Sequence, residues 1–302
     1  MSRLAVLLSL PLWLFSALAQ VDLDLVLERE VFLPAEDIEI GVRIANFTGA
    51  KATFGQESNW LQFMVEGDRG RVVSKLQDPP ESGEFTLEQS TRGKLRYNLT
   101  PLFSMEIPGN YRVFATLRLP SGEVISSDSK NIEIVQGVKL SEPREVGYTL
   151  PDGTIERRKF MLQRATFLKK VQLYARLTDS SESHTYKVIP LGNTVSFDRP
   201  EWLADRGTRF HVLHRADSTR YFYHILSPDG TIASRQLWIS NGTARPELRV
   251  NEEGEIRVFR ATRESYPGDI PKPADGVTKT NSPTATQLKT NAAHEVQAPK
   301  KP

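Results

Sequence analysis

Cysteine is absent from this 302-residue chain. That excludes disulfides, thiolate nucleophiles and thiolate-ligated metals. It also removes the residue that a bacterial lipoprotein needs for its acyl anchor. Long apolar runs are equally scarce. Beyond the first residues, no stretch approaches the roughly 20 apolar positions that a membrane-spanning helix requires, so no transmembrane segment is expected after a leader is removed. The chain contains no Gly-x-Ser-x-Gly elbow, no His-Glu-x-x-His helix and no phosphate-cradling glycine loop. No catalytic residue, metal site or cofactor is therefore assigned. Catalytic triads need not be local in sequence, so a hydrolase of unrecognised type stands as an alternative.

What is present begins with a leader. Arg3 precedes an apolar run from Leu4 to Phe15, and Ala17-Leu18-Ala19 supplies small residues at the −3 and −1 positions. Cleavage before Gln20 is the expectation, with the product exported to the periplasm or the medium. Without disulfides, the exported chain must be held by burial, and 39% hydrophobic residues suffice for about two domains. Acidic residues exceed basic ones over 20–136, and basic exceed acidic over 137–262. Neither excess is large enough to expect nucleic acid as a partner.

Residues 20–136 read as strands. Ile38, Ile40, Val42 and Ile44 alternate with polar or small residues, as do Leu61, Phe63 and Val65, and Tyr111 through Leu119. Period-2 alternation marks a strand with one buried face. Pro108-Gly109-Asn110-Tyr111-Arg112-Val113 is similar to the tyrosine corner of immunoglobulin-like sandwiches, in which a Tyr hydroxyl reaches back to upstream backbone. Trp60 sits early on a strand, where such domains often keep a core Trp. On these residues the segment resembles the Ig-like, macroglobulin-type domains of exported bacterial proteins of unknown role. The resemblance implies an antiparallel β-sandwich, with Trp60 and Tyr111 in structural roles, and implies no activity.

A linker is expected from Gln136 to Pro143, and beyond it the pattern stays β. Pro151-Asp152-Gly153-Thr154-Ile155 and Pro228-Asp229-Gly230-Thr231-Ile232 are two copies of one hairpin turn, and Glu253-Gly254 turns a third. A propeller needs about four blades of roughly 40 residues or more. The segment 137–262 is too short for that and reads as an antiparallel β-meander or small sandwich. A short helix fits Pro200 to Ala204. From 263 to 302 the hydrophobic pattern fades into a disordered tail. The whole is an all-β chain of two domains with a leader, 1–19, and a tail.

Candidate binding residues lie in the second domain. With Asp217-Ser218 at the centre of a two-residue turn, His211 and His224 stand opposite one another, ~5 Å apart. Two imidazoles are one ligand short of the usual zinc site. His211 and His214, three apart on a strand, point to opposite faces. Tyr221 and Tyr223 share a face, and with Trp238 they would form a platform for a sugar ring if exposed. Buried, they would join Phe210, Val212 and Ile225 in a core face. The triplets Asn46-Phe47-Thr48, Asn98-Leu99-Thr100 and Asn241-Gly242-Thr243 read as turn chemistry. The functional expectation is a non-catalytic extracytoplasmic binding or scaffold protein with an unidentified protein or glycan partner; a carbohydrate-binding module is the alternative.

Overall fold

The computed structural model describes residues 21–242 and 244–271. The expected leader and the tail from 272 onward lie outside them. The chain is all-β, folded into several small sheets whose pairings are antiparallel except that between Val31–Phe32 and Lys130–Ile134.

Strands of the first module are β1 (Val21–Leu27), β2 (Val31–Phe32), β3 (Glu39–Asn46), β4 (Ala52–Phe54) and β5 (Leu61–Gly67). They continue as β6 (Phe85–Leu87), β7 (Thr91–Asn98), β8 (Gly109–Arg118), β9 (Val124–Ser126) and β10 (Lys130–Ile134). One sheet runs β1-β3-β7 and the other β2-β10-β8-β5, with β9 on the far end of β8. The alternating residues expected on β3, β5 and β8 meet in one core. Ile40, Val42 and Ile44 from the first sheet face Leu61, Phe63, Val113 and Leu117 from the second. The Tyr111 hydroxyl donates to the Ile107 carbonyl at 2.6 Å, the backward reach expected of that residue. Trp60 lies one position before β5 and is buried, packing on Phe54 and Phe85 of the paired strands β4 and β6. Asn46 and Asn98 act in turns. Their side-chain oxygens accept from the backbone N–H of Thr48 and Thr100 at 3.0 and 3.1 Å.

The second module adds β11 (Val138–Lys139), β12 (Arg144–Thr149), β13 (Ile155–Phe167), β14 (Lys170–Asp179), β15 (Thr185–Thr194) and β16 (Glu201–Ala204). Then come β17 (Phe210–Arg215), β18 (Arg220–Leu226), β19 (Ile232–Ser240), β20 (Glu247–Val250), β21 (Ile256–Phe259) and β22 (Ala261–Glu264). A sheet β11-β13-β14-β15, with β12 also on β13, faces a sheet β16-β17-β18-β19-β22. Phe160, Leu162, Leu177 and Ile189 of the first pack on Phe210, Val212 and Leu226 of the second. The other face of that second sheet is covered by the β20–β21 hairpin, through Leu248 and Ile256 against Leu213, Tyr223 and Ile225.

Four expectations need correction here. The linker contains β11, which pairs with β13 at Arg164 and Gln163. Residues 201–204 are strand, not helix, because β16 finds a ladder partner in β17 that so short a helix would lack. The boundary at 263 falls inside β22, and Ile270 still exchanges backbone hydrogen bonds with Arg235 at 2.9 Å. Lastly, Phe210 and Val212 do not share a face with Tyr221, Tyr223 and Ile225. The two sets belong to separate cores on opposite sides of one sheet.

The modules dock through a small core of Leu33, Ala165, Tyr174 and Val188, with Ala35 and Val135 against it. Glu36 forms a parallel bridge with Val188. Its carboxylate is buried; it accepts the Leu33 N–H at 2.8 Å and pairs with Arg29. Burial pushes Glu36 above the usual carboxylate range, opposed by Arg29. Burial, with Glu36 adding to it, pushes the Tyr174 phenol up to about 12.

Candidate functional site: a cleft between the modules

A cleft of about 490 Å³ opens beside this docking core. That volume suits a small molecule, for which sites of about 300–1,000 Å³ are usual. The first module contributes Glu28 and Arg29 after β1, Phe32 of β2, and Asp37 and Glu39 at the entry to β3. The second contributes Leu191 and Gly192 of β15, Phe222 of β18, Arg235 of β19, and Tyr266 beyond β22.

The floor is aromatic and polar together. Phe222 packs on Tyr266 with ring centroids 5.6 Å apart and on His214 at 5.8 Å. Behind it His214 and His224 stack at 5.5 Å, nearly parallel. Both imidazoles are completely buried. His214 Nε2 donates to the Leu191 carbonyl at 3.2 Å, which fixes the proton on that nitrogen and leaves Nδ1 as a lone pair. That Nδ1 has no partner, and neither ring nitrogen of His224 has one. The Tyr266 hydroxyl lies against the Arg235 guanidinium, and Arg235 Nε and one oxygen of Asp269 have no hydrogen-bond partner. Buried polar atoms without partners each cost about 1–3 kcal/mol. Of these residues Arg235 and Tyr266 line the cleft, while His214, His224 and Asp269 do not.

Electrostatics divide the cleft. Burial drives His214 down to about 4, and drives His224 well below its ordinary value with help from His214 and Arg235. Both rings are neutral at neutral pH, so Arg235 carries the positive charge of the floor. The opposite rim is acidic. Desolvation raises Glu39 above its ordinary range, and the like charges of Asp37 and Glu28 add to this against Arg96. Arg96 reaches Glu28 at 3.5 Å, while Asp37 accepts only the Asn98 amide among the described residues, at 2.7 Å.

None of the sequence-derived candidates lines the cleft; His224 comes nearest, its ring 6.1 Å from that of Phe222. His211 stands opposite Ile225, and His224 opposite Val212, so the two histidines project from opposite faces of the sheet. The reason is turn length: Ala216 pairs with Arg220 across three residues, not two, and a slip of one residue exchanges the faces. His211 and His214 do point to opposite faces, as their spacing required. Tyr221 and Tyr223 are 4% exposed, and Trp238 is half-buried in the same core. They form no solvent-facing platform, because the β20–β21 hairpin covers them. Under that hairpin the Asp205 carboxylate lies 3.1 Å from His211 Nε2, and His211 Nδ1 lies 2.5 Å from the Tyr223 hydroxyl. Burial pushes Asp205 up, but hydrogen bonds from His211 and Arg209 hold it below its ordinary value. The adjoining cavity is only about 150 Å³. Such a chain of hydrogen bonds ties the β16–β17 turn to the core. Among the described residues, no group of three or more His, Cys, Asp or Glu converges as a metal site would require.

Arg235, Tyr266 and the acidic rim were not singled out by sequence. Tyr266 was visible only as the last aromatic before the tail, and Arg235 only as the one charge on its strand.

No family model matches this chain, and no curated protein matches it. Among solved structures it is distantly similar to the sporulation control protein Spo0M of Bacillus subtilis. That match has 12% identity and a TM-score of 0.28, over 55% of this chain and 82% of that one.

Proposed function

We propose that this is a non-catalytic, exported binding protein in which two β modules hold a small ligand in the cleft between them. One observation carries the reading: the Arg235 and Tyr266 side chains, set beside Phe222, line the floor of a cleft whose opposite side is lined by Glu28, Asp37 and Glu39. A ligand lying in the cleft would meet a cationic and hydroxyl-bearing wall on one side and carboxylates on the other. The leader at Arg3 to Ala19 supports export. An Ig-like identity for the first module is supported by the facing β1-β3-β7 and β2-β10-β8-β5 sheets and by the Tyr111–Ile107 hydrogen bond. In this reading that module is a rigid wall of the site, and the acidic rim is its contribution.

Native mass spectrometry of the whole protein, incubated with a small-molecule extract of the cell envelope, tests the reading. A discrete added mass is expected, and Pro190→Trp, which fills the cleft from an exposed position, should abolish it without lowering the Tm. An unliganded spectrum throughout, or an adduct indifferent to Pro190→Trp, would remove the cleft from consideration.

A further inference from the structure

We infer that the cleft takes a small zwitterion with a carboxylate at one end and an ammonium at the other, the chemistry of an amino acid or short peptide. This rests on the cleft being the ligand site and says what it selects.

The floor supplies the first ground. Arg235 is permanently charged, and none of the described carboxylates lies within ion-pair distance of its guanidinium. A guanidinium set among Phe222 and Tyr266 with no carboxylate in ion-pair reach favours a planar anion that it can grip with two N–H groups. The Tyr266 hydroxyl beside it is a further donor. Because His214 and His224 stay neutral, the floor offers one positive charge. That matches a carboxylate better than a doubly charged phosphate.

The opposite rim supplies the second ground, independently. Glu28, Asp37 and Glu39 all line that side of the cleft, answered by Arg96, while Arg29 is engaged by Glu36. An ammonium set against this side would face carboxylates in excess of the cations that answer them. Between the two poles Phe32, Leu191 and Phe222 line the walls, so the body of the ligand meets apolar surface. One cleft with a cationic floor, an apolar waist and an anionic rim is complementary to a zwitterion in one orientation.

Isothermal titration of the whole protein with the tripeptide Ala-Phe-Ala tests this, alongside its N-acetylated and C-amidated forms. The free peptide should bind, and each blocked form should bind at least about tenfold more weakly, as loss of a charged hydrogen bond implies. Arg235→Gln should erase the preference for the free carboxylate, leaving affinity for the amide unchanged. Glu39→Gln should weaken the preference for the free amine. Tyr266→Phe, which removes one oxygen and no charge, is the second floor variant. It should reduce carboxylate discrimination even if Arg235→Gln does not fold. Equal binding of all three peptides, binding of none, or discrimination that survives both floor variants would overturn the inference. If none of the peptides binds while an envelope adduct remains sensitive to Pro190→Trp, the zwitterion fails and the cleft stands. If the adduct fails too, both fall.

Discussion

His214 and His224 show what a buried imidazole does to the molecule that contains it. In the unfolded chain both titrate near 6.5, whereas in the fold His214 takes a proton only near pH 4 and His224 is held well below 6.5. Between those values the unfolded state binds more protons than the native one, so unfolding free energy falls as pH drops from about 6.5 toward about 4. Above that window the contribution is fully present. His224→Phe should flatten this dependence when urea unfolding is followed at pH 7 and pH 5; parallel curves for variant and parent would contradict it. At pH 7 the variant should be as stable as the parent or slightly more so, since an unpartnered polar ring is replaced by an apolar one of similar shape. A second residue-scale prediction concerns Tyr111. Removing its hydroxyl in Tyr111→Phe leaves the ring packed and should cost about 1 kcal/mol in denaturant unfolding, the size of one hydrogen bond. An unchanged midpoint would deny the corner a stabilising role.

Among the elements, the two Pro-Asp-Gly-Thr-Ile turns offer a comparison with the local sequence held constant. Asp152 and Asp229 each accept the N–H of the Thr two residues on, at 2.9 Å in both turns. Gly153 and Gly230 both sit at positive φ, 85° and 82°, where a Cβ is strained. Their surroundings differ. A Cβ at Gly153 would meet nothing within 4 Å, whereas at Gly230 it would press on Lys187 at 3.0 Å and Leu177 at 3.3 Å. Gly153→Ala should therefore cost about 1 kcal/mol, the backbone penalty alone, and Gly230→Ala measurably more in the same thermal-melt series. Equal losses would mean that the second turn yields freely. These turns were legible in the sequence, as were β3, β5 and β8, because each of those strands has one wet face and alternation reports it. The β17–β18 pair was not legible. Its sheet is covered on both sides, so Phe210 and His211 are buried alike and alternation no longer distinguishes inside from outside. Register then depended on turn length alone, and a loop of three residues in place of two moved every assigned partner.

At the scale of the whole molecule, the cleft exists because the modules are fixed against one another, and Glu36 is central to that. Its carboxylate is shared between Arg29 and the Leu33 N–H, while its backbone bridges to Val188 of the second module. Glu36→Ala strips Arg29 and Leu33 of their acceptor and should destabilise by roughly 2 kcal/mol or more. Calorimetry should then resolve two transitions, against a single one expected of the parent. A single unshifted transition would mean that the apolar contacts of Leu33, Tyr174 and Val188 suffice. This scale was also the least legible in sequence. The cleft draws on residues from Glu28 to Tyr266, and no local pattern connects positions so far apart in the chain.

Amide hydrogen exchange of the whole protein, with and without saturating Ala-Phe-Ala, addresses ligand capture between the modules most directly. Slowed exchange is predicted in Glu28–Phe32, Asp37–Glu39, Leu191–Gly192 and around Phe222, Arg235 and Tyr266, on both modules at once. Unchanged exchange at those positions, or protection confined to the β20–β21 hairpin, would contradict it.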